Sequence, residues 1–123
     1  MAEDVGKVGW IDITVADATE LRDFYAAVVG LEPEDVEMGD YSDFNMKMPA
    51  SGEPVAGVCH ARGSNADIPS GWLIYFIVAS VDASSAECKK RGGTVVVGPR
   101  ELSGGRFCVI EDPSGAVAAL YEP

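Results

Sequence analysis

The sequence predicts an α+β fold made of paired βαβββ modules within 123 residues. Apolar residues alternate with period two in some segments and recur at helical spacing in others. Turn residues punctuate these segments in the same order twice. The two runs also superpose at one separation: Val15 and Val78, Gly30 and Gly93, and Gly52 and Gly115 are each 63 residues apart. A single duplication in so short a chain argues for two modules that pack together, because a solenoid needs three or more units. Apolar residues at 47% against 24% charged supply a core without disulfides and exclude disorder for most of the length.

In the first module WIDITV (Trp10–Val15) places Ile11, Ile13 and Val15 on one face and Trp10, Asp12 and Thr14 on the other, as a strand does. Asp17 offers an N-cap. Leu21, Phe24, Tyr25, Val28 and Val29 recur at i, i+3, i+4, i+7 and i+8, which predicts a helix buried along that stripe, and Gly30 sits where a left-handed C-cap falls. Phe44–Met48 and Val55–Cys59 read as strands around the turn ASGEP, and the spacing leaves open whether Asn45 or Met46 faces the interior of the fold. GLEPEDVEMGD (30–40) reads as a solvated acidic face that could also steer a cation.

Residues 61–71, rich in Gly, Ser, Asn, Asp and Pro, form the expected linker between a first module at 8–60 and a second at 72–123 in one domain, 1–123. The second module repeats the pattern: strand Trp72–Val78, helix Val81–Arg91 starting near Asp82, the Gly92-Gly93 stop, and strands Thr94–Val97, Arg106–Ile110 and Val117–Tyr121. Asp112-Pro113-Ser114-Gly115 makes a turn. GPRELSGGR (98–106) lacks a phosphate-loop pattern and reads as a hairpin loop.

A formal net charge of −11 repels polyanions, so nucleic acid and anionic membrane surfaces are not expected partners. Apolar runs are too short to span a bilayer, and the acidic MAEDVGK start differs from a signal peptide; the expected location is the cytoplasm. Cys59, Cys88 and Cys108 are odd in number and widely spaced, as reduced, mostly buried residues are. His60 is the one histidine, which removes HExxH chemistry.

GWIDITVADATELRDFYAAVVGLEP and RFCVIEDPSGAVAALYE resemble the opening strand and helix and the closing hairpin of the vicinal oxygen chelate superfamily, the glyoxalase, bleomycin-resistance protein and extradiol dioxygenase group. The resemblance covers nearly the whole chain. It implies βαβββ modules that form a curved mixed β-sheet cavity flanked by helices, usually within a homodimer. In metal-using members the first and last strands of each module hold the ion. Those positions fall here on Trp10, Leu73, Ala56 and Ala119, or on Gly57 in place of Ala56 with a shift of one, and none of them can bind a metal. The resemblance therefore implies no metal and no other cofactor.

The candidate ligand-binding residues are Trp10, Asp12, Val58, His60, Leu73, Tyr75 and Tyr121. Trp10 offers a face for stacking, or simply fills space. A carboxylate on the same face, Asp12, needs a ligand or a partner such as Lys47 or Arg106. His60 is the natural proton shuttle if a reaction occurs. Tyr75 and Tyr121 share a face with Leu73 and Ala119 and provide apolar wall with hydrogen-bonding tips. The expected function is metal-free binding of a neutral or cationic flat molecule, of the sequestration type, by a cytoplasmic homodimer. The alternative is a lyase or isomerase resembling glyoxalases or dioxygenases, using shifted ligands such as Asp12, His60 and Glu122, or His60 as general base. A third possibility is an accessory domain that keeps the fold for association alone.

Overall fold

The computed structural model describes residues 2–123. They form two compact units, one spanning Ile11–Trp72 and the other comprising Leu73–Pro123 with the segment up to Trp10. Each carries the βαβββ order, so the α+β fold expected from the duplication is the observed one. No helix of the described residues is long and apolar enough to cross a membrane.

The first module runs β1 (Val8–Val15), α1 (Ala18–Val29), β2 (Glu32–Glu37), β3 (Ser42–Lys47) and β4 (Pro54–His60). Its strands lie in the order β2-β3-β4-β1. The β1 and β4 strands are parallel, with Asp12 beside Gly57 and Thr14 beside Cys59, whereas β4, β3 and β2 are antiparallel to their neighbours. Asp17 caps α1 by accepting the Glu20 N–H at 3.0 Å, and Gly30 ends it in the left-handed region at φ 92°. Helix α1 covers Ile13, Phe44, Met46, Ala56 and Val58, with Ala18, Leu21 and Tyr25 as its contacts. This settles the β3 ambiguity: Met46 is wholly buried beneath α1 and Asn45 points the other way.

Two expectations fail in this module. Phe24, Val28 and Val29 are not core; they are 53%, 65% and 61% exposed. Consecutive helical residues are ~100° apart, and the buried face centres on Ala18 and Tyr25, which turns Phe24 and Val28 outward. The acidic stretch is not only a solvated face, because Glu32–Glu37 forms β2, the outermost strand of this module. EPEDVE has no apolar alternation to reveal a strand. An edge strand needs little apolar surface, and charge and proline there discourage pairing with other chains. Glu34 also lies 3.6 Å from Lys47 of the neighbouring strand.

The second module runs β5 (Trp72–Ile77), α2 (Val81–Lys90), β6 (Thr94–Leu102), β7 (Gly105–Glu111) and β8 (Val117–Glu122), with strands in the order β5-β8-β7-β6. The β5 and β8 strands are parallel, with Tyr75 beside Ala119 and Ile77 beside Tyr121. The start of the chain also pairs here, since the Gly6 N–H donates to the Ile77 carbonyl at 2.8 Å. Helix α2 begins one turn position earlier than Asp82 suggested: Ser80 is the cap, its Oγ accepting the Ala83 N–H at 3.1 Å. Helix α2 covers Val81, Cys108 and Leu120, flanked by Phe76, Val95 and Ile110. Strand β6 extends well past Val97, through a bulged segment that apolar alternation does not reveal.

Candidate functional site

The face of the second module turned away from α2 gathers aromatic and apolar side chains. Strand alternation and pairing put Leu73 and Tyr75 of β5, Ala119 and Tyr121 of β8, and Phe107 and Val109 of β7 on that face. The rings of Tyr75 and Phe107 stand 6.5 Å apart at 32°, and the Arg100 guanidinium lies 5.7 Å from the Phe107 centroid. Tyr75 and Phe107 are 6% and 4% exposed. The Tyr121 hydroxyl donates to the Ser103 carbonyl at 3.1 Å, which ties the β6–β7 hairpin to this face. Gly105 passes so close to the Tyr121 hydroxyl that a Cβ there would stand 2.6 Å away. Leu73, Tyr75 and Tyr121 were expected together and are placed together. Arg100 and Phe107 were missed; the adjacent strand register would have indicated Phe107, but the bulge before Arg100 leaves no signal in apolar periodicity.

The first module sorts its expected residues differently. Asp12 stands beside Gly57, so the face of Trp10, Asp12 and Thr14 continues onto Gly57 and Cys59, while Ala56 and Val58 join Ile13 under α1. In the second module Tyr75 stands beside Ala119. The 63-residue repeat therefore carries a one-residue difference in strand register, and with a side-chain period of two that reverses the faces. Val58 is consequently core, wholly buried, and does not line a ligand face. Trp10 is half-buried on β1.

His60 ends β4 near Tyr41, whose ring is 5.6 Å from the imidazole and roughly perpendicular to it. The Asp43 carboxylate accepts the backbone N–H of His60 at 2.8 Å and lies 3.4 Å from its Nδ1. Burial, followed by the charges of Asp12 and Asp43 and a hydrogen bond to Asp43, pushes the Cys59 thiol far above the ordinary cysteine range, so it stays protonated. The partners suggested for Asp12 are engaged elsewhere: Lys47 with Glu34 and Arg106 with Asp82 at 2.8 Å. Glu122 Oε1 accepts the Val81 N–H at 2.9 Å on the α2 side, which removes it from the shifted ligand set.

The family-derived metal positions do not fit an ion. Gly57 replaces Ala56 on the relevant face, and neither it nor Leu73, Ala119 or Trp10 brings an oxygen, sulfur or imidazole donor. Among the described residues no three His, Cys, Asp or Glu side chains group to hold a metal.

The model of the Glyoxalase/Bleomycin resistance protein/Dioxygenase superfamily matches residues 7–120. This chain belongs to that superfamily. It is 29% identical to the "Putative glyoxylase CFP32" of Mycobacterium tuberculosis over 124 residues, all of this chain and 46% of that protein. It is 30% identical over 117 residues to the "Anthracycline biosynthesis protein DnrV" of Streptomyces peucetius, 95% of this chain and 42% of that protein. The chain thus spans less than half the length of these curated relatives. Among solved structures, a variant of Streptomyces coelicolor methylmalonyl-CoA epimerase in complex with 2-nitronate-propionyl-CoA shares the fold at TM-score 0.57 and 23% identity, with 96% of this chain and 97% of that one covered. The hypothetical protein BH1468 of Bacillus halodurans does so at TM-score 0.57 and 16% identity, covering 96% and 94%.

Proposed function

We propose that this chain binds a flat small molecule on the face of its second module turned away from α2, without a metal, and acts there as a cytoplasmic homodimer. The observation that carries the reading is the convergence of Tyr75, Phe107 and Tyr121 on one face over the apolar Leu73 and Ala119. Ligand sites are commonly such surfaces, mostly apolar with a few oriented polar groups. The name of the Streptomyces peucetius relative, which refers to anthracycline biosynthesis, is compatible with a planar aromatic ligand. Trp10 and Asp12 remain candidates for further contacts. The charge expected of the ligand, neutral or cationic, rested on the net charge of the whole chain, which says little about one face.

A titration of the 15N-labelled chain with 2-naphthol and 2-naphthamide tests the proposal. Saturable shifts at amides of β5, β7 and β8 support it. Absence of saturable shifts with either compound up to millimolar concentration, or shifts confined to the groove of about 300 Å³ that Cys88, Ile110 and Pro113 line beside α2, overturns it.

The second reading is an isomerase or lyase with His60 as general base. Its supporting observation is Asp43, placed to hold the Nδ1 proton of the imidazole and leave Nε2 as the basic atom. A pH-dependent turnover abolished in His60→Gln, with ligand affinity unchanged, distinguishes this reading from binding alone.

A further inference from the structure

We infer that Arg100 is the specificity-determining residue of the second-module face and selects a flat ligand bearing a carboxylate or enolate oxygen. The inference rests on the reading of that face as a ligand surface and goes beyond it by fixing the ligand's charge. Near the start of the β6–β7 ladder, Val97 stands beside Val109; carried on without interruption, that register would set Arg100 opposite Arg106. Arg106 points to the α2 side, where it holds Asp82. The ladder instead shifts between Val97 and Arg100, so that Arg100 stands beside Phe107 and its guanidinium comes over the Phe107 ring. A one-residue shift in a strand reverses a side chain's face, and bulges next to functional sites often re-aim one.

The backbone at the shift is specialised for it. Gly98 has φ +78°, and a Cβ there would stand 2.8 Å from the Phe107 carbonyl oxygen and 3.1 Å from the Arg100 nitrogen. Both the left-handed conformation and the close approach require glycine. The face thereby receives a planar cation beside two aromatic rings, Phe107 and Tyr75, and a second phenol, Tyr121. A guanidinium presents five N–H donors in a rigid fork that matches a carboxylate and stacks on ring faces. A flat ligand lying along Tyr75 and Phe107 would place an oxygen anion at that fork. The acidic character of the chain lies elsewhere, for example on the exposed carboxylates of β2.

The test compares three probes of similar size by calorimetry on the full chain: 2-naphthoate, its neutral isostere 2-naphthamide, and 2-naphthyltrimethylammonium. The expected order is naphthoate at least tenfold tighter than the amide, with the cation weakest. Arg100→Gln should bring naphthoate to the affinity of the amide while leaving amide binding unchanged, and Arg100→Lys should restore part of the preference. Gly98→Ala, if folded, should lose the preference although Arg100 is intact. Equal affinities for naphthoate and amide, or a preference that survives Arg100→Gln, overturn the inference and leave the binding reading standing. No binding by any of the three overturns both.

Discussion

Val58 carries no polar atom and no accessible surface, and it packs with Ile13, Phe44 and Met46 beneath α1. Val58→Ala should cost about 2 kcal/mol of stability by leaving a small cavity, with naphthyl-probe affinity unchanged in the folded fraction; chemical denaturation and calorimetry measure the two separately. A tenfold loss of affinity at unchanged stability would return Val58 to the ligand face. The cysteines give a second prediction at this scale. All three are free, and burial raises the thiols of Cys59 and Cys108, Cys59 further through Asp12 and Asp43. Neither should react with Ellman's reagent at pH 8 until the chain unfolds, because the thiolate is the reactive form. Rapid native labelling of Cys59 would contradict the placement of its carboxylate neighbours. The residues Leu73, Tyr75 and Tyr121 were legible because their strands obey unbroken alternation. Val58 was misread because a repeat offset aligns elements well but does not resolve a one-residue register difference, and Arg100 was hidden by the bulge.

The turn between β7 and β8 is stabilised by one carboxylate. Asp112 accepts the Ser114 hydroxyl at 2.6 Å and the N–H groups of Ser114 and Ala116 at 2.8 and 3.1 Å. The Ser114 hydroxyl, then these N–H groups, hold its pKa below the ordinary aspartate value. A depressed folded-state pKa contributes stability that is complete above the unfolded value, near 4, and is lost as pH falls through the lower folded value. Asp112→Asn should therefore flatten the acid limb of the stability curve below about pH 4, as read by thermal melts between pH 2 and 6; an unchanged acid limb would contradict this account of the turn. Helix α1 offers a contrast. Val28 is 65% exposed, so Val28→Lys should change stability by no more than about 0.5 kcal/mol, whereas a core position would lose several times that. The caps at Asp17 and Gly30 and the strand–helix order were readable from local chemistry. The buried face of α1 was not, because an apolar stripe wider than the contact leaves the choice of face to small residues such as Ala18. Strand β2 escaped for the opposite reason: its edge position allows a nearly all-charged sequence.

At the scale of the whole molecule the two modules reuse one plan with different surfaces. The first presents Asp12, Asp43 and Cys59 on the face opposite α1, whereas the second presents Tyr75, Phe107 and Arg100 on the face opposite α2. The duplication was legible because strand, helix end and turn repeat together. What each face presents depends on register and bulges, which a repeat of composition does not encode. The proposed homodimer predicts a species of about twice 12.9 kDa in sedimentation equilibrium at micromolar concentration, and a 12.9 kDa species throughout would contradict it. The most direct test of the central claim is the structure of the chain crystallised with 2-naphthoate. The account predicts the naphthyl ring along Tyr75 and Phe107 with its carboxylate at the Arg100 guanidinium; density for the compound only in the groove beside Cys88 and Pro113, with the Tyr75 face empty, would contradict it.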